Sequence, residues 1–251
     1  MPKYATLAID SAAELARLCF SWDMKKKAGD MESIRQVFNY PGATERLNIL
    51  VRRMKDFRKK GMNIVFTAHE DIQRIYAKGG MVGKKGEPAP EPLAVKGQPN
   101  LPGNTCPDEF CLAADNVFHV RRVNGTPNWI ARPEAMGPGA GDWTVKDRFN
   151  APSLQSGLLP ASYIELEKLA KGLPGWRPPY IWILYGAFGI GKTRSLLTFP
   201  RPIKIFDIDR GTSSIIPEIE ASKDSITVEE FNSEDKSDYE RFISSLEAAG
   251  V

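Results

Sequence analysis

Ile181-Trp-Ile-Leu-Tyr-Gly186-Ala-Phe-Gly-Ile-Gly191-Lys-Thr193-Arg-Ser-Leu-Leu-Thr-Phe199-Pro200 reads as three elements in succession. The apolar, β-rich run 181–185 predicts a buried strand. The loop that follows fits G-x-x-x-x-G-K-[ST], and residues 193–199 read as a helix stopped at Pro200. Gly186, Gly189 and Gly191 let the backbone curl so that its N–H groups face inward, toward phosphate oxygens. Lys192 has the reach for β- and γ-phosphates, and the Thr193 hydroxyl suits Mg²⁺. The expected ligands are therefore ATP and Mg²⁺. The expected nucleotide-binding set is Gly186, Ala187, Phe188, Gly189, Ile190, Gly191, Lys192, Thr193 and Arg194.

Such a loop needs an acid to complete the metal shell, usually at the end of another buried strand. Ala5-Thr-Leu-Ala-Ile9 ends in Asp10-Ser11 and runs into a helical pattern with Leu15, Leu18 and Cys19. Asp10 is the expected second Mg²⁺ ligand beside Thr193; an aspartate capping that helix is the plainer alternative. Asn63-Ile-Val-Phe-Thr-Ala68 predicts another strand, ending in His69-Glu70, after a helix striped by Leu47, Leu50, Val51, Met54 and Phe57. His69 would then lie at a strand's carboxyl end, where open α/β sheets build ligand sites. It is a candidate γ-phosphate sensor or a structural histidine, and Glu70 joins it as a catalytic candidate. Pro202-Ile-Lys-Ile-Phe206 predicts a third strand, ending in Asp207-Ile-Asp209. Asp209 is the candidate general base; a turn-capping aspartate is the alternative.

The bulk properties agree with a globular α/β chain. Of 251 residues, 42% are hydrophobic and 26% charged, and no apolar run approaches the ~20 residues that span a bilayer. The N-terminus lacks a signal-peptide pattern, so a cytoplasmic location is expected. Three cysteines and two histidines argue against a disulfide framework and against a four-ligand zinc site. The net charge of +3 permits a polyanionic partner without demanding one.

Taken together, these segments resemble the RecA-like core ATPases, in particular the phage ATPases of the Sak type linked to single-strand annealing and recombination. The match rests on the loop at 186–193 with its Thr-Phe-Pro-Arg-Pro tail, on Phe-Asp-Ile-Asp209, on Leu-Ala-Ile-Asp10-Ser11 and on Val-Phe-Thr-Ala-His69-Glu70. A fifth segment, Thr144-Val-Lys146-Asp-Arg148, looks like the late basic motif that reaches a neighbouring subunit's nucleotide. The resemblance implies Lys146 and Arg148 as trans-acting fingers, a homo-oligomer, and a host-cytoplasm location if the gene is phage-borne. It covers roughly residues 1–152 and 176–251.

The family order differs, because there the phosphate loop comes first. Here the chain starts at the Asp10 strand and ends just before it. It reads as a circular permutant: a single RecA-like α/β domain with a mostly parallel sheet flanked by helices. Residues 1–152 form one half and 179–251 the phosphate-loop half. Residues 153–178 are the joining segment, with a capping box at Ser162 and Glu165 opening a helix that is either linker or native element. A rearranged gene, or two partial copies completing each other, are the alternative accounts of the order.

The resemblance places DNA-facing loops at about 21–44 and 71–105. The first carries Lys25, Lys26 and Lys27 with Trp22; the second carries Lys78, Lys84 and Lys85 among many Gly and Pro. Cations interleaved with aromatics suit single strands, and a solvated loop is the plain alternative. The expected function is an ATP-hydrolysing protein acting on single-stranded DNA in recombination or annealing, without a membrane partner. The alternatives are a nucleotide-gated module of little turnover that assists replication or packaging, and a non-functional rearranged fragment.

Overall fold

Along the predicted strands, successive side chains belong to two different cores. Leu7 and Ile9 pack on one face and Ala8 on the other; Ile181, Ile183 and Tyr185 face one way, Trp182 and Leu184 the other. A period of two with both sides apolar is the mark of a sheet covered on both faces. The computed structural model, which describes residues 2–27, 41–75, 94–101, 106–132, 142–148, 157–235 and 237–250, contains that sheet.

Its strands are β1 (Thr6–Asp10), β2 (Asn63–Ile75), β3 (Ala94–Pro99), β4 (Asn116–Val123), β5 (Thr126–Ile130), β6 (Asp142–Trp143), β7 (Leu158–Pro160), β8 (Ile181–Gly186), β9 (Ile203–Asp207) and β10 (Ile226–Glu230). Among the described residues they form one 10-stranded sheet in the order β10-β9-β1-β2-β8-β4-β5-β7, with β3 pairing the far end of β2 and β6 pairing β3. From β10 to β4 every neighbour is parallel; the β4–β5 and β5–β7 pairings are antiparallel.

Helices α1 (Ala12–Lys27), α2 (Pro41–Lys59), α3 (Cys106–Ala113) and α7 (Asp238–Gly250) contribute Leu15, Leu50, Phe110 and Phe242 to one core. Helices α4 (Tyr163–Ala170), α5 (Lys192–Leu196) and α6 (Ile216–Glu220) belong to the other, where Tyr163, Leu196 and Ile219 pack. That second core is aromatic. Trp182 lies 5.8 Å from Tyr163, 5.5 Å from Tyr180 and 5.6 Å from Phe199, ring to ring. Edge-on ring pairs add about 0.5–1.5 kcal/mol each beyond the area they bury.

Five expectations are refined. The strand predicted over 63–68 continues to Ile75 and pairs antiparallel with β3. The stretch 71–105, expected as one loop, therefore begins and ends in hairpin arms, and Lys96 on the second arm pairs with Asp108 at 3.0 Å. The joining segment 153–178 supplies strand β7 and helix α4 to the body of the fold. Only half of the predicted capping box forms: Ser162 Oγ accepts from Glu165 N, while the Glu165 carboxylate takes Lys168. Trp22, expected on a DNA loop, is packed on Tyr239 and beneath Arg46, because α1 crosses α2 and α7 there.

Candidate functional site

Parallel register brings the polar strand ends to one edge. Asp10 stands opposite Asp207 across β1 and β9, and His69 opposite Gly186 across β2 and β8. All these strands run the same way, so their carboxyl ends and the loops that leave them surround one cleft. It holds about 430 Å³, a volume suited to a small-molecule ligand. Its walls include Asp10, His69, Arg122, Phe188, Lys192, Thr193, Asp209 and Arg210.

Residues 186–193 curl into a tight loop between β8 and α5. Gly189 and Gly191 take the left-handed backbone (φ 69 and 102) that its curl requires. Lys192 is buried and bends over the loop, donating to Gly186 O at 2.9 Å and Ala187 O at 2.7 Å. Burial lowers its pKa, and the nearby Asp10, Asp209 and Glu70 oppose that shift. Phe188 is 90% exposed at the tip of the loop and stacks beside His69 with ring centroids 6.0 Å apart.

The Asp10 carboxylate meets Thr193 across 183 positions of sequence. Thr193 Oγ1 donates to Asp10 Oδ2 at 2.7 Å, and Thr67 Oγ1 donates to Asp10 Oδ1. Burial first, and then the neighbouring Asp209, push the Asp10 carboxyl up to about 7; the two hydroxyl bonds work against this. Asp10, Asp207 and Asp209 each offer an oxygen within 4.8 Å of the others. Gly211 packs directly on this group: a Cβ there would stand 2.6 Å from Asp10 Oδ2, 2.8 Å from Asp209 Oδ1 and 3.1 Å from Thr193 Oγ1. The missing side chain leaves a small space lined by hard oxygen donors, and such donors fit Mg²⁺. The residues present therefore suit the ion that the phosphate loop implies. Asp10 and Thr193 would hold it, and its charge would offset that of phosphate oxygens.

Asp207 and Asp209 part company. Asp207 is fully buried and holds the following turn, accepting from Gly211 N at 3.0 Å, from Thr212 N at 3.0 Å and from the Thr212 hydroxyl. Asp209 stays on the cleft wall, accepts from Gly211 N at 2.9 Å, and comes within 3.8 Å of His69 Nε2. Burial raises the Asp209 pKa, helped by Asp207, and burial lowers that of His69, helped by Lys192. Glu70 turns to β4 instead, with Oε2 at 2.8 Å from His119 Nε2.

Lys146 and Arg148 lie at the other end of the strands. Lys146 is an isolated bridge to Val117 rather than part of a strand, and its ammonium donates to Ala114 O at 2.6 Å and Leu112 O at 3.3 Å. Arg148 pairs with Asp115 at 3.3 Å, just before β4 begins. Arg194 is on the cleft wall but engages Glu218 at 2.7 Å. The side chains of Lys25, Lys26 and Lys27, and all of Lys78, Lys84 and Lys85, lie outside the described residues.

Four contributors escaped sequence reasoning: Thr67, Arg122, Arg210 and Gly211. Thr67 precedes His69 by one strand period, a weak signal. Asn124-Gly125 was a readable one, since both take positive φ (50 and 80) as a tight hairpin turn demands. That hairpin lays Arg122 on the loop, where it reaches Gly189 O at 3.4 Å.

A family model described as an AAA domain matches residues 1–91. The match takes in the Asp10 strand and His69 but not the phosphate loop. It supports a P-loop, AAA-type domain and so nucleotide binding with ATPase character. No curated protein and no solved structure matches the chain. Among the described residues, no helix is long and apolar enough to cross a membrane.

Proposed function

We propose that this chain is a Mg²⁺-dependent ATPase of RecA-like type, circularly permuted in order, that acts on single-stranded DNA in phage-type recombination or annealing. One observation carries the ATPase reading: Thr193 and Asp10, 183 positions apart, touch at 2.7 Å beside the loop that holds Lys192. In this reading the loop amides and Lys192 bind the phosphates, and Asp10 with Thr193 holds the ion. Asp209 orients the attacking water and receives its proton, while His69, beside it, senses the γ-phosphate.

The permuted order is supported by how α7 and β1 meet around the start of β2. Lys60, two residues ahead of Met62 in the turn before β2, donates to Gly250 O at 2.6 Å, and Asn63 N bonds Ala5 O at 2.9 Å. Gly250 and Ala5 thus both lie near the start of β2, and a connection from α7 to β1 there is compatible with the same sheet. Entered at β8, the chain then passes through β9, β1 and β2 in the family's order.

A nucleotide-gated module of little turnover remains the second reading. Its support is Asp209, a side chain one methylene shorter than glutamate and tied to Gly211 N. The deciding experiment measures ATP hydrolysis with and without single-stranded DNA across protein concentrations. A rate that rises with DNA supports the proposal. Tight ATP binding with no turnover in either condition supports the module, and no ATP binding by folded protein refutes both.

A further inference from the structure

The cleft contains a cation that neither the phosphate-loop pattern nor the matched segment assigns. Arg210 follows Asp209 and precedes Gly211, the residue that packs against Asp10, Asp209 and Thr193. Arg210 lines the cleft together with Asp10, Thr193 and Asp209, and an arginine stem is longer than the about 3.8 Å between consecutive Cα atoms, so its side chain has the length to span from its own Cα to the group on which Gly211 packs. Its backbone is held in the left-handed region (φ 60, ψ 28), unusual for a residue with a side chain. The hold is built from both sides. Gly211 N bonds Asp207 Oδ1 and Asp209 Oδ1, Thr212 N bonds Asp207 Oδ2, and the Ser213 hydroxyl and amide both bond Arg210 O. A residue kept in a rare conformation by this many bonds, at a cleft, points to a functional role.

The other arginines and the lysine considered as fingers are committed. Arg194 pairs with Glu218, Arg148 with Asp115, and Lys146 caps carbonyls at the opposite edge. Arg122 reaches the loop carbonyl of Gly189. Arg210 is exposed and lines the cleft, and among the described residues no carboxylate pairs with it.

Resting on the reading of this cleft as the ATP site, we propose that Arg210 is an arginine finger supplied in cis. It contacts the γ-phosphate of its own chain's nucleotide and stabilises the charge that builds during transfer. The water oxygen bonds to the γ-phosphorus as the bond to the β–γ bridging oxygen breaks. The electron pair stays on that oxygen of ADP, and the water's proton passes to Asp209. Arg210 exchanges no proton or electron; its guanidinium follows the equatorial oxygens, where a fixed cation contributes most.

The test compares ADP binding with binding of ADP plus aluminium fluoride, a mimic of the phosphoryl group in transfer, followed by a fluorescent ADP analogue in the presence of Mg²⁺. R210A is expected to bind ADP within about threefold of wild type, lose at least about tenfold of the extra retention that aluminium fluoride confers, and hydrolyse ATP on the order of 10²–10³-fold more slowly. R210K, which keeps the charge without the fork, should fall between the two. Mixing R210A with K192A chains separates cis from trans: no recovery of activity is expected, and recovery would overturn the cis assignment. Wild-type aluminium fluoride retention in both R210A and R210K would remove Arg210 from the reaction while leaving the cleft reading intact. Failure of the wild type to bind ADP at all would instead remove the cleft reading itself.

Discussion

Two buried aspartates sit at opposite ends of the parallel sheet, Asp10 where β1 ends and Asp115 just before β4 begins, and they are treated in opposite ways. Asp115, at the amino end, is saturated by its own chain. Arg58 Nη1 lies 2.7 Å from both carboxylate oxygens, Arg148 approaches at 3.3 Å, and Ile181 N donates at 2.9 Å. Asp10, at the carboxyl end, receives two hydroxyl donors and faces two further carboxylates, and its carboxyl is pushed up to about 7 by burial and Asp209. The first arrangement closes a structure, starting β8 and β4 together. The second is costly in itself and is suited to binding a cation. A buried carboxylate thus marks an anchor or a site according to its partners, not its burial.

The largest expected effect falls at the carboxyl end. Lys192→Ala should slow ATP hydrolysis on the order of 10³-fold, about 4 kcal/mol in barrier height, while thermal melting stays near that of wild type. Wild-type turnover by that variant would refute the active-site assignment. The matching change at the amino end, Asp115→Ala, should act on folding instead. It strands Arg58 and the Ile181 amide, at a cost of about 3 kcal/mol, the low end for broken buried pairs because Arg58 is partly exposed. Urea unfolding measures the loss, and a variant as stable as wild type would remove Asp115 as an anchor.

Gly211→Ala sharpens the contrast further. The added methyl crowds Asp10 and Thr193, so the gain in ATP affinity that Mg²⁺ confers should drop about 10–100-fold, with metal-free nucleotide binding little changed. Calorimetric titrations with and without Mg²⁺ distinguish the two, and an unchanged Mg²⁺ effect would place the ion elsewhere.

The smallest effect concerns pH. Burial holds the pKa of His119 below its usual value, against the pull of Glu70. The folded state then binds its proton less readily than the unfolded chain. This contribution to stability is complete above the unfolded pKa of about 6.5 and is lost as pH falls from there through the folded pKa. His119→Gln should flatten that part of the stability–pH curve, read from urea midpoints between pH 5 and pH 8; an unaltered slope would show that His119 does not cause it.

Much of this molecule was legible in one dimension. The strand at 181–186, the loop at 186–193, the strand ending at Asp10 and the helix 238–250 all carry local signals: apolar periodicity, fixed glycine spacing, a terminal glycine. Asp10, Asp209, His69, Lys192 and Thr193 were read as one site and do line one cleft. The middle of the chain was harder. The strands between 94 and 160 mix exposed arginines with buried rings, and one of them owes its place to a pairing with β5 alone.

By itself, the sequence determined which residue types could bind phosphate and metal, because glycine spacing and strand-end acids act through local backbone geometry. Only the tertiary structure decided which acid does what. Asp207 and Asp209 look alike along the chain, yet register and the turn at Gly211 bury one and leave the other on the cleft. The same folding sent Lys146 and Arg148 to the far edge and brought Arg210 to the near one. The physical reason is that a side chain's role depends on neighbours distant in sequence, and sheet order and register alone set those neighbours.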